Sequence, residues 1–118
     1  MGNPGLRIVK ISPSSREINI KDQINIVTMA RARMIYKGRV QGVFFRSNCR
    51  QKASELGLVG WVKNLPDGTV ESVAEGPKEK IEQLINWNRT SQPSAHVRDV
   101  NIRWEKETGE FSGFSIKR

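Results

Sequence analysis

Apolar and polar residues alternate along residues 30–37. Ala32, Met34 and Tyr36 occupy one set of positions, and the other set includes three basic residues, Arg31, Arg33 and Lys37. A period of two is typical of a strand that is buried on one face and exposed on the other. The alternation stops at Gly38, so we expect the first strand of the folded domain to end there.

The apolar period changes after this strand. Four residues recur at spacings of four, four and three, which places them on one face of a helix: Phe45, Cys49, Ala53 and Leu56. Gly57 follows, and glycine is the usual residue just beyond a helix C-terminus. Residues 38–43 are therefore predicted to form a strand-to-helix loop.

The remaining residues predict the rest of the same domain. Strand patterns occupy residues 58–64, 69–75 and 98–104, with a short closing strand at Phe114 and Ile116. A second helix opens at Gly76 and Pro77 and has a buried stripe of Ile81, Leu84 and Ile85.

The order strand, helix, strand, strand, helix, strand predicts an α+β domain. This βαββαβ layout is that of a ferredoxin-like α/β sandwich. We expect an antiparallel sheet of four to five strands with two helices on one face.

The loop before the first helix has the composition of an anion site. Gly38 and Gly42 permit backbone angles that side chains forbid, and they let a ligand approach the main chain. Successive N–H groups at the start of a helix can converge on phosphate oxygens. Arg46 lies in the first helical turn, so its guanidinium can contact the same anion through two hydrogen bonds.

The pattern alone leaves alternatives open. A glycine-containing turn between strand and helix is common in proteins that bind no phosphate, and the segment matches neither the P-loop nor the dinucleotide-binding pattern. Asn64 lies beside the predicted turn at residues 65–68, where an amide either caps the turn or holds a water.

Two longer motifs favour the phosphate site. Residues 38–46, GRVQGVFFR, resemble the first signature of the acylphosphatase family, G-x-V-Q-G-V-x-F-R. Residues 60–70, GWVKNLPDGTV, continuing to Gly76, resemble the second signature. Both signatures match throughout, and the resemblance spans about residues 30–118, the whole predicted domain.

The resemblance implies an enzyme that hydrolyses the carboxyl–phosphate bond of acyl phosphates to a carboxylate and inorganic phosphate. It implies that Asn64 orients the attacking water and that neither a metal nor a cofactor takes part. It places the phosphoryl group on Arg46 and on a loop formed by Gly38, Arg39, Val40, Gln41, Gly42 and Val43.

The residue types around the signatures agree with this chemistry. Asp, Glu and His do not cluster there, so the sequence offers neither a magnesium site nor a general base. Asp67 is expected to be a turn residue. Acyl phosphates suit such a site because the carboxylate leaves readily and phosphoryl transfer requires mainly positioning and charge stabilisation.

Other side chains near the motifs are expected to have structural roles, or to have a role that the sequence leaves undecided. Cys49 falls on the buried helix face and is predicted to be a small core residue. His96, the only histidine, has no Asp or Cys cluster near it, so we expect neither a base nor a metal ligand. Phe44 and Phe45 either form walls of the site or pack in the core.

Composition narrows the classes of function. The chain has 118 residues, one cysteine and a formal net charge of +8. Its length fits one domain. One cysteine cannot form an internal disulfide, which fits either a reducing compartment or a protein indifferent to redox conditions. No apolar run is long enough to cross a membrane. We expect a cytoplasmic monomer that acts on a small molecule and has no membrane partner.

The basic charge keeps two other functions open. RNA-recognition domains share the βαββαβ layout, but the predicted strand at residues 69–75 has no aromatic side chain for base stacking, so no specific nucleic-acid binding is expected. The other alternative is an acylphosphatase-like module without turnover, like the amino-terminal domain of hydrogenase maturation factors. Those proteins continue with zinc-finger cysteines, which this sequence lacks.

Residues 1–28 differ from the rest of the chain. They contain a Ser-Pro-Ser-Ser turn and isoleucines without a sustained period, of which four would line a short strand: Ile18, Ile20, Ile24 and Ile26. We predict an N-terminal extension at residues 1–28, outside the core, and an acylphosphatase-like domain at residues 29–118. The extension is either an appendage, including one that precedes a natural start at Met29, or an added strand that packs on the domain.

Overall fold

A computed structural model describes Gly5–Lys10 and residues 24–118, with side chains from residue 27 onward. Ile18 and Ile20, two positions of the short strand proposed above, lie outside the described residues. Within the described part, no helix combines the length and the apolar character needed to cross a membrane. The elements are β1 Gly5–Lys10, β2 Ile24–Arg39, α1 Phe45–Glu55, β3 Val59–Asn64, β4 Val70–Pro77, α2 Lys78–Thr90, β5 His96–Glu105 and β6 Phe114–Lys117.

Five strands form the sheet of the domain in the order β5-β2-β4-β3-β6. The predicted ferredoxin-like α+β class is confirmed, but the expectation of an antiparallel sheet is wrong because β3 and β6 are parallel. After β5 the chain crosses one end of the sheet and reverses its direction. The direction opposite to β5 is also that of β3, so β6 can pair with β3 only in parallel.

The two helices cover one face of the sheet and enclose the core. The alternation in β2 is confirmed, since Ala32, Met34 and Tyr36 have no exposed surface and lie in one cluster with the buried helix residues. The predicted helix faces are confirmed by the buried residues Phe45, Cys49 and Ala53 of α1 and Ile81, Leu84 and Ile85 of α2. Burial of these stripes is what holds the layers together.

A tight turn joins β3 to β4. The Leu65 N–H donates to Thr69 O at 2.9 Å, and the Gly68 N–H donates to Leu65 O at 3.1 Å. Asp67 Oδ1 accepts hydrogen bonds from the N–H and the hydroxyl of Thr69 at 3.0 and 2.6 Å. The predicted turn role of Asp67 is confirmed, and Asn64 lies at the end of β3 immediately before this turn.

Two element boundaries differ from the prediction because strand pairing continues past the residue that marks a turn in the sequence. β2 runs through Gly38 to Arg39, with an irregularity in its pairing with β5 between Lys37 and Gly38. β4 runs to Pro77, which pairs with Met29 and is the N-cap of α2 rather than its first residue.

The strand β1 pairs antiparallel with the first part of β2, from Gly5 opposite Met29 to Lys10 opposite Ile24. This pairing corresponds to the added-strand alternative for part of residues 1–28. The division of the chain after residue 28 stays a prediction.

A buried polar network joins β2, α1 and α2 beneath the start of α1. Asn88 Nδ2 donates to the Tyr36 hydroxyl at 3.0 Å and to Cys49 Sγ at 3.4 Å. Gln92 Nε2 donates to Asn88 Oδ1 at 3.0 Å and to Phe45 O at 3.1 Å. Because Phe45 is the first residue of α1, this network fixes the position of the helix N-terminus.

Candidate active site

The chain between β2 and α1 alternates in backbone conformation. Gly42 has a φ of 75° and Phe44 a φ of 63°, whereas Val43 between them has no positive φ. Such alternation turns successive N–H groups to one side and creates an anion-binding concavity. An aromatic residue rarely adopts the left-handed conformation, and residues that do so cluster in functional loops.

The start of α1 leaves its main-chain donors free. Phe44 is the N-cap, but no side chain caps the first amides. The N–H groups of the first helical turn have no acceptor within a helix. In residues 5–10 and 24–118, none of the N–H groups of residues 41–44 donates a hydrogen bond. Loop and helix therefore present unpaired donors, together with the positive end of the helix dipole.

A cavity of about 310 Å³ lies beside these donors. Its lining has two arginines and no acidic residue, and consists of Val40, Gly42, Phe44, Phe45, Arg46, Ser47, Asn64, Ile116 and Arg118. Arg46 and Asn64, which the sequence places on different elements, thus meet at one cavity.

Arg46 lies in the first turn of α1 and is half-buried. Among the described residues, it takes part in none of the ion pairs. A guanidinium retains its positive charge at any ordinary pH and presents paired donors that match phosphate oxygens. Its freedom from protein carboxylates leaves this charge available to an anionic ligand.

Asn64 ends β3 at the cavity. Its Oδ1 is shielded from solvent and accepts no hydrogen bond from the described residues. Buried polar atoms are nearly always hydrogen-bonded, to protein or to water. An amide oxygen without a protein partner at a cavity wall suits a group that holds a water or a ligand.

Other residues of the predicted loop lie outside the cavity lining. Gly38 and Arg39 belong to β2, and the Val43 side chain is buried in the core. A Cβ at Gly38 would lie 2.2 Å from the carbonyl oxygen of His96, so glycine is required there by the close approach of β5. A Cβ at Gly42 would meet only open space, so glycine is favoured there by the positive φ rather than by a close contact.

The Gln41 side chain makes contacts that the sequence did not reveal. Its Nε2 donates to Leu65 O at 2.8 Å and to Thr69 O at 2.9 Å. Both acceptors belong to the turn after Asn64. The loop before α1 is therefore tied to the β3–β4 turn by a side chain, whereas only a main-chain role was predicted for this residue.

Ile116 and Arg118 were also missed as cavity residues. Ile116 is in β6 and Arg118 follows that strand directly. They reach the cavity because β6 pairs with β3, the strand that ends at Asn64. The sequence contains no local signal for this pairing, since it depends on which edge of the sheet the last strand joins.

Other reactive side chains lie away from the cavity lining. Cys49 is fully buried, and this burial raises the pKa of its thiol to about 12, so the predicted core role is confirmed. His96 begins β5 and does not line the cavity. In the part of the chain with described positions, no group of three or more His, Cys, Asp and Glu could hold a metal.

Two helices on one face of a mixed sheet, with a cavity at the loop before α1, define a small ferredoxin-like α+β protein. The family model "Acylphosphatase" matches residues 32–116. The curated acylphosphatase of Pelotomaculum thermopropionicum is 48% identical over 90 residues, which cover 76% of this chain and 98% of the relative.

Solved structures give the same result. The crystal structure of acylphosphatase from Bacillus subtilis has a TM-score of 0.72 and 35% identity, covering 75% of this chain and 99% of that one. An acylphosphatase from Coxiella burnetii has a TM-score of 0.70 and 42% identity, covering 75% and 93% of the two chains. The chain belongs to the acylphosphatase family.

Proposed function

We propose that this protein is an acylphosphatase, which hydrolyses the carboxyl–phosphate bond of an acyl phosphate to a carboxylate and inorganic phosphate. One observation carries the proposal: three kinds of unpaired polar group line the same cavity. They are the free N–H groups of the loop, the guanidinium of Arg46, which has no described ion-pair partner, and the amide oxygen of Asn64, which has no described hydrogen-bond partner. Membership of the family supports the same activity.

The phosphoryl group binds to Arg46 and to the part of the predicted loop of residues 38–43 that follows β2, where residues 41–44 have free N–H groups. The loop amides and the first turn of α1 supply hydrogen bonds and a positive potential. Arg46 supplies two further donors and a full positive charge. Each hydrogen bond to a charged group contributes about 1.5–3 kcal/mol, so a few of them suffice for micromolar to millimolar affinity.

Asn64 orients the attacking water in line with the leaving carboxylate. Its Oδ1 accepts no hydrogen bond from the described residues, so no such bond opposes a rotation about the last side-chain bond that presents the oxygen to a water. The amide oxygen accepts a hydrogen bond from that water, which directs the lone pair of the water oxygen at phosphorus. Asn64 thereby acts by positioning, because an amide cannot serve as a base at neutral pH.

The reaction forms one bond and breaks one bond at phosphorus. The water oxygen attacks phosphorus while the bond from phosphorus to the carboxyl oxygen breaks, and its electron pair leaves with the carboxylate. The water's proton passes to a phosphate oxygen. No residue of the cavity lining is Asp, Glu or His, which fits a substrate whose leaving group needs no protonation.

The alternative of a binding module without turnover is not favoured, because the matched relatives are themselves named acylphosphatases. RNA binding also lacks support in β4, where no residue is aromatic. In the neighbouring strand β3, the Trp61 side chain is only 9% exposed. Bases would therefore find little aromatic surface on these two strands.

The small-molecule substrate follows from the family, whereas the monomeric state and the cytoplasmic location stay predictions. The buried thiol of Cys49 is consistent with a reducing compartment. Sedimentation of the protein across a range of concentrations tests the oligomeric state, and a mass independent of concentration is expected.

The proposed function is tested by phosphate release from acetyl phosphate and from glycerol phosphate, each with excess EDTA. Acetyl phosphate is expected to be hydrolysed, since its leaving group is a carboxylate. Glycerol phosphate is expected to remain intact, because its alkoxide leaving group requires an acid that the cavity lining lacks. Absence of turnover with acetyl phosphate, or equal turnover of both compounds, would contradict the proposal.

A further inference from the structure

Gln41 connects the two halves of the candidate site. It directly precedes Gly42, which lines the cavity, and its carboxamide contacts the turn that directly follows Asn64. The two N–H bonds of the carboxamide are both used, one on Leu65 O at 2.8 Å and one on Thr69 O at 2.9 Å. The side chain is partly buried, so water competes poorly for these donors.

The turn itself does not depend on these contacts. Leu65 O also accepts a hydrogen bond from the Gly68 N–H at 3.1 Å, and Thr69 O also accepts one from the Leu65 N–H at 2.9 Å. Each carbonyl therefore keeps a main-chain partner if the Gln41 carboxamide is removed. What is lost is the connection between the turn and the loop, rather than the turn.

We propose that Gln41 is a positioning residue that sets the distance and direction between the water held by Asn64 and the phosphoryl group held by the loop and Arg46. The inference rests on the proposed function, because only a reaction between these two groups makes their separation matter. No other side chain within the described residues donates a hydrogen bond from the loop at residues 40–44 to the turn at residues 65–69.

This role makes a prediction that separates turnover from binding. Attack in line with the leaving group requires the water and the phosphorus atom in a near-attack geometry. The phosphate site consists of main-chain donors and Arg46, and none of these is removed by a change in the Gln41 side chain. Loss of the carboxamide should therefore lower kcat and leave the affinity for phosphate nearly unchanged.

The test uses Gln41→Met, which keeps the length and neutrality of the side chain but removes both donors. We expect kcat for acetyl phosphate to fall roughly tenfold to a hundredfold, since an ångström of misplacement can cost that much. The inhibition constant of inorganic phosphate should stay within about twofold. The matched control is Gln83→Met on an exposed position of α2, for which kcat and phosphate inhibition should equal those of the wild type.

Three results would overturn the inference. A Gln41→Met protein with wild-type kcat would show that the connection has no catalytic role, even if its melting temperature falls. A weaker phosphate affinity with an unchanged kcat would assign Gln41 to the shape of the anion loop instead. If the wild-type protein hydrolyses no acetyl phosphate, the proposed function fails first and the inference falls with it, an outcome that is distinct from the other two.

Discussion

Two arginines near opposite ends of the five-stranded sheet have opposite surroundings. Arg31 lies near the end of the sheet where β5 finishes, and it is paired with three carboxylates. Arg46 lies beyond the C-terminal end of β2 and has no ion-pair partner among the described residues. The two charges are the same, and the difference between their neighbours separates a structural cluster from a ligand site.

At the Arg31 end the guanidinium is paired with protein carboxylates. Arg31 contacts Glu75 at 2.7 Å, Glu105 at 2.9 Å and Glu110 at 2.8 Å. Thr108 adds hydrogen bonds from its N–H and hydroxyl to Glu75 at 3.0 and 2.8 Å. Burial alone would raise the pKa of Glu75, but the hydrogen bonds from Arg31 and its neighbours lower the pKa below its ordinary value.

At the cavity end the polar groups have been left without protein partners. Arg46, the loop amides and the Asn64 oxygen would each gain from a hydrogen bond that the described residues do not supply. Unsatisfied buried polar groups and isolated charges are costly, so a ligand that supplies partners for several of them at one cavity would be bound favourably. The contrast predicts that substitutions at the cavity end affect turnover, whereas those at the Arg31 end affect stability.

The largest effect is expected from Arg46→Gln, which removes the charge that distinguishes the cavity end. Inorganic phosphate should bind about tenfold to a hundredfold more weakly, since a hydrogen bond to a charged group is worth about 1.5–3 kcal/mol. The kcat for acetyl phosphate should fall as well. The measurement is phosphate inhibition together with steady-state kinetics. The control is Arg50→Gln, an exposed position one turn further along α1, and equal losses in both variants would remove the assigned role.

Asn64→Ala should separate turnover from binding. The expected fall in kcat is about a hundredfold or more, by analogy with the loss of one transition-state hydrogen-bond donor. Phosphate inhibition should change little, because the amide holds water rather than the phosphoryl group. Asn101→Ala, on an exposed position of β5, provides the control. A near-normal kcat in Asn64→Ala would rule out the water-positioning mechanism.

Glu75→Gln tests the opposite end and should leave kcat unchanged. The substitution weakens the contact between Arg31 and the Glu75 side chain, which is only 3% exposed. The free energy of unfolding should fall by about 1–3 kcal/mol. Glu82→Gln, exposed on α2, is the control for loss of one negative charge. Chemical denaturation provides the measurement, and a loss of kcat without loss of stability would contradict the division between the two ends.

The difference in stability between the wild type and Glu75→Gln should depend on pH, and the direction of this dependence follows from the pKa of Glu75. The pKa of Glu75 is lower in the folded state than the ordinary glutamate value of 4.5. Its contribution to stability is therefore complete above that ordinary value and is lost as the pH falls through the lower folded-state value. The stability difference between wild type and Glu75→Gln should shrink below about pH 4.5. A difference that grows on acidification would show that the sign is wrong.

The smallest effect is expected at Cys49. Its thiol lies on the buried face of α1, and burial raises its pKa to about 12, so almost no reactive thiolate exists near neutral pH. Iodoacetamide should leave the native protein unmodified and its turnover unchanged, with modification appearing only after denaturation. The measurement is intact mass combined with the acetyl phosphate assay. Rapid alkylation with loss of activity would place the thiol at an accessible, functional position.

Much of the fold was predictable because each element carries its own period. The alternation around Met34 marked β2, and the spacing of Phe45, Cys49 and Ala53 marked α1. The two signature motifs also pointed to Arg46 and Asn64, which share the cavity. These features depend on residues that are close together in the sequence or on motifs long enough to be specific.

The features that escaped prediction depend on contacts between distant parts of the chain. The parallel pairing of β6 with β3 is set by the sheet edge that the chain reaches, and it brings Arg118 to the cavity. The carboxamide of Gln41 contacts carbonyls 24 and 28 residues away, and carbonyls carry no residue-specific signal in a sequence. A contact between a side chain and a distant main-chain carbonyl is found only once the three-dimensional structure is known.

The most direct test of the central claim is hydrolysis of acetyl phosphate in water enriched in oxygen-18, followed by mass spectrometry of both products. Attack on phosphorus by a water positioned at Asn64 predicts one labelled oxygen in the inorganic phosphate and none in the acetate. Label in the acetate would mean that water attacks the carbonyl carbon. That result would contradict the assignment of Arg46 and the loop as the site that holds the reacting phosphoryl group.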